Sequence, residues 1–154
     1  MKVILIIIAA FVAIISAIIY LNKPQTPQIT SQTPTPTPFS EEKVNIKATF
    51  TIITGNITRN FKAEKYHNLS DDVYITADNP TLIHVKKAGI TWDDFFKTLP
   101  MKLTKDCLTT GDGETFCDKK DGSLKFYLND IEDNNLLDKE IKDDDKALIR
   151  FTTS

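Results

Sequence analysis

The stretch VNIKATFTI, residues 44–52, alternates apolar and polar side chains from one residue to the next. A period of two is that of a β-strand with one face buried and the other face solvated. The apolar positions are Val44, Ile46, Ala48, Phe50 and Ile52. This alternation predicts a half-buried strand, with which the folded part of the chain begins.

Two hairpins are predicted after this strand. Gly55-Asn56 is a dipeptide typical of a tight turn, and ITRNF, residues 57–61, is expected to be the returning strand. VYITA, residues 73–77, and TLIHV, residues 81–85, flank an Asp-Asn-Pro turn and predict the second hairpin.

One amphipathic helix is predicted in GITWDDFFKTLP, residues 89–100. Thr91 is the expected N-cap, and Asp94 three residues later completes a variant of the capping box. Pro100 is expected to end the helix. The apolar residues at helical spacing are Trp92, Phe95, Phe96 and Leu99. We expect this aromatic stripe to lie in the core rather than to form a ligand platform.

Two further strands are predicted near the C-terminus, in LKFYL, residues 124–128, and ALIRFT, residues 147–152. Their core-facing residues are expected to be Leu124, Phe126, Leu128, Ala147, Ile149 and Phe151. Many strands with one short amphipathic helix predict an α+β domain, most simply a β-grasp-like mixed sheet with that helix packed across it.

The only two cysteines enclose the stretch CLTTGDGETFC, residues 107–117, and are symmetric about Asp112. A hairpin turning at Thr-Gly-Asp-Gly-Glu places Cys107 opposite Cys117, within disulfide reach. The Cys-x-x-Cys spacing of redox motifs is absent, and a structural zinc site needs four ligands. We therefore expect a disulfide, with free thiols and metal or redox chemistry as the alternatives. Such a disulfide persists outside the cytoplasm.

Residues 1–23 form a separate apolar segment. Within it, residues 3–21 contain no charge, and as a helix they would extend about 28 Å, close to the thickness of a bilayer core. We expect an uncleaved single-pass anchor, with a cleaved signal peptide as the alternative. The positive charge before this segment, from Lys2 and the N-terminal amine, slightly exceeds the charge after it, from Lys23. This difference favours a C-terminal domain outside the cytoplasm.

Residues 24–40 are rich in proline and threonine and predict an extended stalk between the anchor and the globular region, residues 41–154. Their Thr-Pro alternation also resembles O-glycosylated stalks. Asn56 and Asn68 begin Asn-x-Thr and Asn-x-Ser sequons, which are candidate glycosylation sites if the domain is exported.

The globular region is mildly acidic. It contains all 21 acidic residues and the 19 basic residues less Lys2 and Lys23, which leaves a net charge of −4. Lysine and arginine do not cluster along the sequence, and phosphate neutralisation needs such a cluster. We therefore expect no nucleic-acid partner.

The histidines, His67 and His84, are far apart in the sequence, and a hairpin turning near residue 79 would place His84 opposite Tyr74. His84 is the remaining candidate metal ligand, although a surface or hydrogen-bonded histidine is the favoured interpretation. Asp143-Asp144-Asp145 is interpreted as a solvated turn before the last strand. No catalytic arrangement is recognised, so we expect a protein that is not an enzyme and carries no cofactor.

Residues 64–152 resemble a group of membrane-anchored bacterial and archaeal proteins. The shared features are a Gly-Ile-Thr helix start followed by Phe-Phe, two cysteines around a turn, the strand KFYLND and the ending DDDKALIRF. The resemblance implies a transcobalamin-like β-grasp domain outside the cytoplasm and carries no activity. Members often have four histidines at the positions that are Tyr74, Thr76, His84 and Lys86 here.

These features together predict a membrane-tethered extracytoplasmic domain that binds an unknown protein, glycan or small ligand without catalysis. The alternatives are a metal-binding or redox accessory protein of the cell envelope and a purely structural envelope component.

Overall fold

The computed structural model describes residues 43–120 and 122–153. The predicted membrane segment, residues 3–21, and the predicted stalk, residues 24–40, lie outside the described residues. In the part that is described, no helix has the length and apolar character needed to cross a bilayer. The described residues form ten strands and one α-helix, together with two short 3-10 helices. The predicted α+β class is confirmed.

The strands are β1 Lys43–Thr54, β2 Ile57–Thr58, β3 Val73–Tyr74, β4 Leu82–Lys87, β5 Lys102–Leu103, β6 Cys107–Thr109, β7 Thr115–Cys117, β8 Gly122–Leu128, β9 Ile131–Glu132 and β10 Lys146–Thr153. The helix α1 spans Trp92–Thr98, and the 3-10 helices span Glu64–Tyr66 and Leu136–Asp138.

The main sheet has the strand order β3-β4-β1-β10-β8-β9, and β2 also pairs with β1. The two central strands, β1 and β10, run parallel, with a register from Thr49 opposite Lys146 to Thr54 opposite Phe151. All the other strand pairs of this sheet are antiparallel. A parallel pair needs a crossover connection, and the segment that contains α1 lies within it. A second sheet has the order β5-β6-β7.

The core lies between the main sheet and α1. The predicted alternation of β1 is observed, since Ala48, Phe50 and Ile52 are each only 1% exposed. The ring of Phe50 meets the rings of Phe95 and Phe96 edge-on, with centroids 5.1 and 5.8 Å apart. Of the residues predicted to face the core, Val44, Ile46 and Leu128 are partly buried and pack against it. The following are buried: Trp92, Phe95, Phe96, Leu99, Phe126, Ile149 and Phe151.

The predicted capping box of α1 is confirmed. The Thr91 hydroxyl oxygen accepts a hydrogen bond from the Asp94 backbone N–H at 3.2 Å, and the Asp94 carboxylate accepts one from the Thr91 N–H at 2.9 Å. The hydrogen bonds from the Thr91 backbone and side chain lower the pKa of Asp94 below its usual value. The cap therefore fixes the start of the helix that covers the sheet.

Two predicted strands are shorter than expected. In residues 57–61 only Ile57–Thr58 forms a strand with β1. Arg59, which follows it, still donates its backbone N–H to the Ile52 carbonyl oxygen at 2.8 Å and its Nε to Thr54 Oγ1 at 2.6 Å. Phe61 enters the core, where its ring lies 4.7 Å from that of Phe50. In residues 73–77 only Val73–Tyr74 is a strand, and the predicted pairing of Tyr74 with His84 is observed.

The segment between β9 and β10 contributes core residues that the alternation did not reveal. Leu136, Leu137 and Ile141 are buried although they belong to a 3-10 helix and a loop. The interpretation of Asp143-Asp144-Asp145 as a wholly solvated turn is wrong for Asp145, which is only 7% exposed. Its carboxylate accepts hydrogen bonds from Asn129 Nδ2 at 2.9 Å and from the Lys142 N–H at 3.0 Å.

Replacing Phe95 with alanine should lower the free energy of unfolding of the full chain by about 3–5 kcal/mol, because a fully buried ring would leave a cavity. Urea unfolding in mild detergent measures the change. The control is Lys97→Ala on the exposed side of α1, where the ion pair with Asp93 should be worth at most about 1 kcal/mol. Equal effects of the two substitutions would show that α1 does not cover the sheet as described.

Replacing Asp94 with asparagine should change the pH dependence of stability. The folded-state pKa of Asp94 is depressed, so its stabilising effect is full above the unfolded pKa of about 4 and disappears as the pH falls through the folded value. Wild type should therefore exceed Asp94→Asn in stability near about pH 7, and this difference should shrink by about pH 2.5. A difference that is independent of pH would contradict this role of the carboxylate.

Candidate functional site

The cysteine hairpin is formed by β6 and β7, with Cys107 directly opposite Cys117. The two residues form a disulfide with a Cα–Cα distance of 4.2 Å, which confirms the predicted pairing. Both cysteines are half-buried. The disulfide therefore closes the open end of the hairpin, opposite its turn.

The turn of the cysteine hairpin is held against the segment that follows β2. Lys65 Nζ donates to the Asp112 carboxylate at 2.8 Å and to the Gly111 carbonyl oxygen at 3.1 Å, and Arg59 pairs with Glu114. A Cβ on Gly111 would clash with the hydroxyl of Tyr66 and lie 2.9 Å from the Pro100 carbonyl oxygen, so only glycine fits at this contact. These contacts and the disulfide describe a hairpin fixed at both ends.

The two histidines have separate surroundings. His67 Nε2 lies 2.9 Å from the carbonyl oxygen of Phe61. The His84 ring stacks on the Tyr74 ring, with centroids 5.2 Å apart and an interplanar angle of 17°. Over residues 43–120 and 122–153, no group of three histidine, cysteine or acidic side chains is arranged to hold a metal ion. The sequon residues Asn56 and Asn68 are both exposed.

The side of the main sheet that faces away from α1 is called here the open face. Its residues are the alternate positions of the strands, and none of them is buried by any described part of the chain. Its middle row runs across four strands, from Thr51 through Leu148 and Tyr127 to Glu132. These side chains are half-buried or exposed, so a broad surface is accessible on this side of the sheet.

The open face carries an excess of positive charge. Its one acidic side chain, Glu132, forms an ion pair at 2.9 Å with one of five basic side chains. The basic residues are Lys47, Lys86, Lys125, Lys146 and Arg150. Lys43 is not among them, because the register of β1 shifts between Lys43 and Ile46 and Lys43 pairs with Lys87. The face therefore has a net charge of +4, whereas the whole globular region, residues 41–154, has −4.

Acidic residues border the open face without entering its strands. At one end of the face, the Asp143 carboxylate accepts a hydrogen bond from the backbone N–H of Lys47 at 2.9 Å. At the β3 edge, an Asp72 carboxylate oxygen lies 3.7 Å from Lys87 Nζ. The remainder of the globular region carries the compensating charge of −8. Charge is therefore segregated between the open face and the rest of the domain.

The electrostatics of His84 reflect this charge. The pKa of His84 is lowered below its ordinary value. Partial burial of the imidazole is the larger cause, and the positive charges of Lys86 and Lys47 add to it. The imidazole is consequently neutral at physiological pH. Its stacked position on Tyr74 adds an aromatic pair to one margin of the open face.

A separate cleft of about 410 Å³ lies between α1, β5 and the second 3-10 helix. Its floor is apolar and includes Phe96, Leu103 and Leu137. Lys105 and Asp138 stand at its rim and form an ion pair with an N–O distance of 2.7 Å. This cleft has no cluster of charge comparable with that of the open face.

Sequence reasoning missed the open face because basic residues were sought as clusters along the chain. The signal was present in the solvent positions of strands that had been predicted, such as Lys47, Lys125 and Arg150. Strand order was needed to bring these distant positions onto one surface.

Comparison of the chain with protein-family models, with curated proteins and with solved structures finds no match.

Replacing both cysteines with serine should lower the free energy of unfolding by about 3 kcal/mol, because the closed loop of the hairpin is lost from the unfolded state. Urea unfolding of the full chain measures the change, and circular dichroism should still show the α+β spectrum. Adding a reductant should destabilise the wild-type chain to a similar extent and leave the double variant unaffected. A reductant that acts equally on both proteins would contradict this role of the disulfide.

The pKa of His84 should lie below its ordinary value of about 6.5 in an NMR titration of the full chain. Lys47→Gln should raise it, since a nearby positive charge that disfavours the imidazolium is removed. Lys62→Gln, in an exposed loop outside the main sheet, is the matched control and should not shift it. Equal shifts in the two variants would contradict a positive potential local to the open face.

Proposed function

We propose that this chain is a single-pass membrane protein whose disulfide-stapled domain lies outside the cytoplasm and binds a ligand through the open face. Its role is binding rather than catalysis. The observation that carries the proposal is the broad, positively charged side of a sheet that no described residue covers.

The membrane attachment is supported by the sequence of residues 3–21, which is uncharged and long enough for one bilayer span. The proline-rich residues 24–40 support a tether, because such a composition favours extended polyproline II and buries no core. The domain begins at β1, a few residues after this stretch.

The strand order supports a β-grasp-like assignment of the domain. The order β4-β1-β10-β8 places the first and last long strands in parallel at the centre, each with an antiparallel partner outside it. The helix α1 follows β4 in the chain and covers one side of this sheet. The same features agree with membership of the membrane-anchored group that residues 64–152 resemble.

Export from the cytoplasm is supported by the disulfide between Cys107 and Cys117, since such bonds persist in oxidising compartments. The slight excess of positive charge at the N-terminus supports the same orientation.

Binding through the open face is supported by which titratable groups are exposed to an external partner. His67 contacts a backbone carbonyl and His84, at one margin of the open face, stacks on Tyr74, so each histidine has a structural partner. Basic side chains of the same face, such as Lys47 and Arg150, are exposed at the surface.

Photocrosslinking in intact host cells tests the proposed function. A benzoylphenylalanine in place of Thr51, in the middle row of the open face, should give a covalent adduct of higher mass. The matched control is the same substitution at Lys62, an exposed residue outside the main sheet, which should give none. Adducts of equal yield at the two positions, or none at Thr51, would contradict binding through this face.

A further inference from the structure

We propose that the open face binds a linear acidic polysaccharide, a chain of sugars that carry carboxylate or phosphate groups. This inference rests on the proposed function, because it names the class of ligand for the same face.

Basic side chains of the open face are available to an external anionic partner. Lys47, Lys146 and Arg150 are exposed, and their side chains form no ion pair among residues 43–120 and 122–153. Asp143 accepts a hydrogen bond from the backbone N–H of Lys47, but no carboxylate of the described residues pairs with the charged end of any of these three side chains, which are therefore available to an approaching anion. Because the rest of the globular region is acidic, a polyanion is attracted to this face and repelled elsewhere.

The middle row of the open face offers hydroxyl groups and an aromatic ring to a ligand. Thr51 and Tyr127 present hydroxyl groups, and Tyr127 also presents a rigid ring with an apolar surface. Hydroxyl groups and a ring suit sugar hydroxyls and the apolar faces of sugar rings.

The open face differs in composition from a typical interface between two folded proteins. The centre of a protein interface is typically apolar and depleted of charge. The large exposed apolar side chains of the described residues are Ile57, Leu69 and Ile131, and none of them belongs to the open face. The apolar residues of the face, such as Leu148, are half-buried and lie among its basic side chains. A hydrated polymer therefore fits this surface better than a folded protein does.

The width of the open face and the length of the predicted stalk both suit a linear polymer. Six strands about 4.8 Å apart give the face a width of about 24 Å, enough for several sugars in a row. The 17 residues of the predicted stalk, residues 24–40, would reach about 50 Å if fully extended. A tether of that reach would allow the face to meet a polymer beyond the membrane.

Binding of polygalacturonate to the full chain in nanodiscs of uncharged lipid tests the inference. Polygalacturonate supplies a carboxylate on every sugar, and dextran is the uncharged probe. We expect saturable binding of polygalacturonate alone, weakened as the salt concentration rises from about 0.05 to about 0.5 M. The combined variant Lys47→Gln, Lys146→Gln and Arg150→Gln should bind about tenfold less tightly.

A control variant with the same change in net charge separates the face from the charge of the whole protein. Its substitutions are Lys62→Gln, Lys102→Gln and Lys120→Gln, all at exposed residues outside the open face and without an ion pair among the described residues. We expect its affinity to stay within about twofold of wild type.

The ring of Tyr127 distinguishes a glycan from an acidic protein. Tyr127→Ala should weaken polygalacturonate binding about fivefold, and Tyr127→Phe, which keeps the ring, should restore most of it. Poly-L-glutamate is the acidic peptide probe. If it binds as tightly as polygalacturonate and Tyr127→Ala changes neither affinity, the ligand is an acidic protein and the inference is overturned.

Absence of saturable polygalacturonate binding would also overturn the inference. If Thr51 still crosslinks in cells while the polymer fails to bind, the proposed function stands and only the ligand class is wrong. If the polymer binds and Thr51 does not crosslink, the ligand class stands and binding in the cell takes place elsewhere.

Discussion

The parallel pairing of β1 with β10 is the constraint on which the rest of the domain depends. These strands come from opposite ends of the folded region, so their contact forces everything between them into the crossover. The helix α1, the cysteine hairpin and the 3-10 helices all lie in that connection and must be accommodated around one sheet. Because the parallel register fixes which residues face inward, it also decides which side chains remain outside.

The fold divides the main sheet into two different surfaces. On one side the Phe50 ring, α1 and the side chains of Leu136 and Ile141 form a closed apolar core. On the other side no described segment covers the strands, and basic side chains collect above a row of threonine, leucine and tyrosine. The disulfide and the ion pair between Lys65 and Asp112 hold the cysteine hairpin in place. The apolar core that stabilises the domain and the face proposed to bind a ligand therefore lie on opposite sides of the sheet.

Local sequence rules predicted those elements whose pattern is carried by neighbouring residues. The alternation in β1, the capping box of Thr91 and Asp94 and the pairing of the cysteines all depend on spacings of a few residues. The burial of Asp145 was not predictable in this way, because its partner Asn129 lies in a different turn. The open face was missed for the same reason, since strand order alone brings its basic residues together.

Location decides whether the proposed binding surface can meet an extracellular ligand. Labelling intact cells with a membrane-impermeant maleimide, with and without prior reduction, tests this most directly through the two cysteines. We expect labelling only after reduction, because Cys107 and Cys117 are joined in a disulfide and the proposed location of the domain is the outer side of the membrane. Thiols that are shielded in intact cells even after reduction with an impermeant reductant, and free upon lysis, would contradict it.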